Sequence, residues 1–116
     1  MKLTITDRLV ARTANEGAAV SFSVKCYTDS SEPWVLVAPT TLRYRVDSPD
    51  TGANVVAWTT LTPASSATIT VTGTQGTLTD NQRTRFQITV EADNGLSTNC
   101  VSTREWWVRP LIGVAA

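Results

Sequence analysis

The chain has 116 residues, 41% apolar and 17% charged, and its ten basic and ten acidic side chains cancel. That length suits one domain with a single packed core, and the composition speaks against a disordered or membrane-embedded chain. Zero net charge with scattered basic residues speaks against an electrostatic nucleic-acid binder, and no apolar run approaches the roughly 20 residues that span a bilayer.

Strands are predicted nearly throughout. Residues 2–10 open the chain with Leu3 and Ile5 on one face. Residues 18–27 direct Val20, Phe22, Val24 and Cys26 inward and Ser21, Ser23 and Lys25 outward. Residues 40–47 set Leu42, Tyr44 and Val46 against Arg43 and Arg45, and residues 54–60 contain Val56 and Trp58. Residues 66–73 oppose Ala67, Ile69 and Val71 to Thr68, Thr70 and Thr72. A final hairpin begins with Phe86, Ile88, Val90 and Ala92 on its apolar face, turns at Asn94-Gly95 and ends in a strand carrying Trp106-Trp107. Period-2 alternation is the signature of a strand with one face buried, and Asn-Gly supplies the positive-φ pair of a tight two-residue turn.

The breaks carry turn chemistry: Asn15-Glu16-Gly17, Ser48-Pro49-Asp50-Thr51-Gly52, Gly73-Thr74-Gln75-Gly76 and Asp93-Asn94-Gly95. No segment keeps a helical period, and threonine is abundant. About seven short strands within one compact domain predict an all-β fold, a two-sheet antiparallel sandwich. The whole chain, residues 1–116, reads as that one domain.

Little in the chain suggests catalysis. Histidine is absent, which removes the commonest general base and transition-metal ligand. Neither cysteine has a histidine to activate it, and two cysteines alone make a poor zinc site. Gly73-Thr74-Gln75-Gly76 lacks the lysine-serine and helix start of a phosphate loop and reads as a hairpin turn. Glu91 and Asp93 share a strand face and Asp47 and Asp50 flank a turn. These carboxylates read as surface charge, Glu91 pairing with Arg43 or Arg45, rather than as a calcium site. No enzyme activity, cofactor or metal is expected.

The segments FQITVEADNGLS and LRYRVD resemble the corresponding strands of fibronectin type III and immunoglobulin-like domains, and the likeness in strand order covers nearly the whole chain. It implies an Ig-like sandwich, a fold that hosts many functions. Phe86 stands where that family has the tyrosine of its corner motif, so the hydroxyl-to-backbone bond is missing. The spacing of Cys26 and Cys100 is similar to that of an immunoglobulin inter-sheet disulfide, but Cys100 lies beyond the Asn94-Gly95 turn, outside the strand of the usual partner. With no secretory signal at the N-terminus, two buried or half-buried thiols are expected in place of a bridge.

Two apolar features are candidate contact surfaces. One is Trp106-Trp107 with Leu111 and Ile112 beyond it. Neighbouring strand side chains point to opposite faces, so one ring enters the core and the other meets either the folded-back tail or a partner. The second is PWVLVAP, residues 33–39, an apolar run containing Trp34 and Leu36 and bracketed by prolines. It reads as an extra edge strand or an interface, or else as a buried plug. In overall character the chain resembles the small, threonine-rich, signal-less Ig-like proteins that tailed bacteriophages use as accessory virion components. The resemblance implies a structural decoration, neck or tail protein, assembled in the host cytoplasm, that contacts protein subunits and neither nucleic acid nor membrane. The contrasting expectation is an adhesion domain that binds a glycan or receptor.

Overall fold

A computed structural model describes residues 2–9, 12–15, 18–27, 35–50, 52–71, 84–93 and 99–109. These residues hold eight strands: β1 (Lys2–Thr6), β2 (Thr13–Asn15), β3 (Val20–Tyr27), β4 (Thr41–Ser48), β5 (Ala53–Leu61), β6 (Ser66–Val71), β7 (Thr84–Asp93) and β8 (Asn99–Arg109). One sheet has the order β1-β3-β6 and the other β2-β8-β7-β4-β5. The fold is a two-sheet β-sandwich, as the alternation predicts.

The core lies between the inner faces of the two sheets. Phe22, Val24, Cys26 and Ile69 fill it from the smaller sheet, and Leu42, Val46, Ile88, Val90 and Trp106 from the larger. Burying each of the larger side chains contributes about 1.5–3 kcal/mol relative to leaving it in water. The inward sets predicted for residues 18–27 and for the first strand of the final hairpin are the observed ones.

Four details differ from the expectations. The first strand ends at Thr6, well before Val10, because the chain there leaves the smaller sheet for the larger. Arg12, with φ of 53°, takes the left-handed conformation just before β2. The sandwich has eight strands where about seven were expected. The additional one, β2, pairs with β8 in parallel (Thr13 with Trp107, Asn15 with Arg109), so the larger sheet is mixed and not wholly antiparallel. Finally, the β7–β8 ladder ends at Asp93 opposite Asn99, which leaves five residues in the connection where a two-residue turn was expected. Asn94-Gly95 itself lies outside the described residues, as do Glu16-Gly17, Thr72 and the Gly73–Gly76 stretch.

The register of that last hairpin follows from the core. A two-residue loop would place Trp107 and Glu105 on the inner face, since a slip by an odd number of residues exchanges the two faces. The observed register instead pairs Phe86 with Trp106 and Thr84 with Val108, and buries both members of β8. It also carries Arg104, opposite Ile88, to the inner face. Asp7, whose side chain is 3% exposed, accepts a hydrogen bond from Arg104 Nε, while Arg104 Nη1 donates to the Ile5 carbonyl at 3.4 Å. The Leu9 amide donates to Asp7 Oδ1 at 2.9 Å. Burial alone would raise the Asp7 pKa. The Arg104 and Leu9 hydrogen bonds, with the charges of Arg104 and Arg12, outweigh it and hold the carboxyl below its usual value. This pair ties the crossover that follows β1 to the inner face of β8.

The β4–β5 hairpin uses the predicted turn. Gly52 donates to the Ser48 carbonyl at 2.8 Å and has φ of 72°, a conformation that glycine adopts without steric cost. Inside that hairpin β5 is irregular: Tyr44 faces Thr59 but Val46 faces Val56, so Ala57 and Trp58 together oppose Arg45. This is a β-bulge, and it changes which face each residue takes beyond it.

Candidate interaction surface

The bulge places an aromatic ring on the outside of the sandwich. In a regular strand Trp58 would share a face with Val56, which packs against the core. With one extra residue between them, Trp58 turns outward and remains 37% exposed. Arg43 and Arg45, outward on the neighbouring strand β4, reach it there. Their guanidinium carbons lie 4.0 and 5.5 Å from the ring centroid, within cation–π range, which contributes about 0.5–1 kcal/mol per contact at an exposed site.

Both arginines are held from their other side. Arg43 pairs with Glu91 on β7 at 2.9 Å, the cross-strand pair expected from the sequence. Arg45 donates from Nε and Nη2 to the two oxygens of Asp47 at 2.9 and 2.7 Å, and Asn54 adds a third donor to Asp47 at 2.9 Å. The Arg45 hydrogen bonds, aided by Asn54, hold the Asp47 carboxyl below its usual range. Arg85 bridges Asp50 at 2.9 Å and Glu105 at 3.3 Å. The result is a charge-balanced face of paired side chains beside the Trp58 indole, with Val101 exposed three strands away on β8, opposite Glu91.

Among the described residues no group of three or more metal-ligating side chains is close enough to hold an ion. Because the Arg43–Glu91 pair is partly exposed to solvent, Glu91→Gln is expected to lower stability by about 1 kcal/mol. A urea melt showing a larger loss would mean that the pair organises the face and does not merely decorate it.

The residues predicted as contacts from sequence are distributed differently. Trp106 is buried at 2% exposure, packed in tilted contact against Phe22 and Phe86 with centroid distances of 5.0 and 5.7 Å, and so belongs to the core. Trp107 is half-buried on the outer face, opposite Arg85 on one side and Thr13 on the other. Leu36 is exposed and bridges to Tyr27, and the Val37 amide donates to the Cys26 carbonyl at 3.0 Å, so this stretch runs beside the end of β3. Trp34, Leu111 and Ile112 lie outside the described residues. The sequence marks Trp58 only as a strand residue. Its exposure follows from the bulge, for which the string of residues 53–61 carries no signal such as a glycine.

A comparison with known protein families, curated proteins and solved structures finds no match.

Proposed function

We propose that this chain is a non-enzymatic binding module of immunoglobulin-like topology that attaches to a larger protein assembly through the outer face of its five-stranded sheet. The single observation that carries this is Trp58, a large apolar ring set outward by a bulge and braced by two arginines whose charges are already balanced. A surface of this kind loses less on desolvation than one of unpaired charges, since its ion pairs keep their partners when water leaves. The Ig-like reading is supported by the strand order, in which β1-β3-β6 faces β8-β7-β4-β5 as strands A, B and E face G, F, C and an added C′ in that fold.

In its most specific form the proposal is an accessory protein of a tailed-phage virion, in the capsid, neck or tail. Covering the exposed part of Trp58 contributes on the order of 2 kcal/mol before the cost of association. One such contact is weak, and durable attachment then comes from repetition around a symmetric lattice. Sedimentation from the native source, with quantitative mass spectrometry of the particulate fraction, tests this. The expected result is co-sedimentation with a virion-sized particle at a fixed copy number, hundreds for a capsid lattice and about a dozen for a neck or tail. Trp58→Ala is expected to leave the particle while lowering folding stability by about 1–2 kcal/mol.

A glycan-binding adhesion domain is the second reading, favoured by the same ring with hydrogen-bonding arginines and carboxylates around it. A protein that stays free of particles and gives a glycan-array signal dependent on Trp58 would replace the virion reading with this one.

A further inference from the structure

Cys26 and Cys100 are both free thiols, yet they occupy inward positions on opposite sheets. Cys26 on β3 is fully buried, and Cys100 on β8 is half-buried and packs against the same core. Both lie at the same end of the sandwich. The Val37 amide donates to the Cys26 carbonyl at 3.0 Å, and three residues later the Thr40 amide donates to the Asp93 carbonyl. Asp93 pairs with Asn99, the residue before Cys100. The short stretch from 37 to 40 therefore bridges the row of Cys26 and the row of Cys100. Across its own ladder Cys100 faces Ala92, a small, fully buried neighbour on the inner face.

We propose that Cys26 and Cys100 form an inter-sheet disulfide when the folded protein meets an oxidising environment, a covalent clasp closing one end of the sandwich. Burial first, and then the charge of the Cys100 thiol, push the Cys26 thiol up from its usual range. Half-exposed Cys100 reacts first. Its thiolate attacks a small-molecule disulfide, oxidised glutathione, giving a protein–glutathione mixed disulfide and releasing one glutathione thiol. The Cys26 thiolate then attacks the Cys100 sulfur, the new S–S bond forms, and the second glutathione thiol departs. Two electrons pass from the cysteine pair to the glutathione disulfide, and the two thiol protons end on the two glutathiones.

The test is incubation of the folded full chain with oxidised glutathione, followed by alkylation and intact-mass measurement without reductant. The expected product is a monomer that has lost two hydrogens, carries no glutathione, takes up no alkylating agent and melts on the order of 10 °C higher. Cys26→Ser is expected to stop at a stable glutathione adduct on Cys100, and Cys100→Ser to remain unreacted because its one thiol is buried. A wild-type chain that stops at the adduct, links to a second copy, stays reduced, or closes the bond only in denaturant overturns the proposal.

Discussion

Replacing Trp106 with alanine is expected to destabilise the protein by about 4 kcal/mol, a large share of the 5–15 kcal/mol by which a domain is ordinarily stable. The ring is 2% exposed and sits between Phe22 from one sheet and Phe86 from the other strand of its own hairpin. Its removal forfeits the transfer of a whole indole from water and leaves a cavity that two strand-borne rings cannot collapse to fill. Both flanking contacts are tilted, at interplanar angles of 57° and 32°, so the attraction between ring edges and faces is lost as well. Trp106→Phe keeps one ring in place and is expected to recover more than half the loss. Trp107→Ala, one residue along but half-buried on the outer face, is expected to cost about 1 kcal/mol. Urea denaturation of the three variants at constant slope measures these differences. Equal losses at positions 106 and 107 would mean that the strand does not alternate as described.

Asp7→Asn is expected to cost about 3 kcal/mol, because it leaves the Arg104 guanidinium on the inner face of β8 without its counter-charge. Arg104 is 29% exposed on its side chain, which places the expected loss at the low end of the range for broken buried pairs. The same pair makes stability depend on acid. The folded-state pKa of Asp7 is depressed, so its contribution is fully present above the unfolded value of about 3.9 and is lost as pH falls through the folded value. Asp47, also depressed, acts in the same direction. The wild-type melting temperature is therefore expected to fall steeply below about pH 4, and Asp7→Asn to show a shallower fall from a lower starting point. Parallel curves for the two proteins would remove Asp7 from the account of acid sensitivity.

The legible parts of this fold were those in which one face of a strand is apolar without interruption. β3 and β7 announce themselves because every second residue from Val20 to Cys26 and from Phe86 to Ala92 is apolar and buried. β2 could not be read, since three residues with only Ala14 buried carry no period and its pairing comes from far along the chain. β8 was ambiguous for a different reason. Its inner face holds Ser102 and Arg104 while Val101 lies outside, so local polarity does not separate the faces. What decides is Trp106 with Val108 against Trp107, together with Asp7 arriving from the other end of the sequence. The candidate surface was hidden by the bulge, because one unmarked extra residue in β5 puts Val56 and Trp58, which plain alternation would set on one face, on opposite faces. The acid–base partners fared better: the pairing of Glu91 with a β4 arginine follows from register alone.

The parallel pairing of β2 with β8 has a consequence for the order of assembly. Thr13 and Trp107 are ninety-four positions apart, so their contact closes almost the longest loop this chain can make, for only three residues of ladder. Such a contact gains little until β8 is already fixed by its long antiparallel pairing with β7, and it therefore forms late on the folding path. Until residues 13–15 arrive, one edge of β8 stands open with unpaired amides and carbonyls, beside an outward tryptophan. A newly made chain thus passes through a stage in which that edge can capture another chain, and its yield on refolding should fall as protein concentration rises.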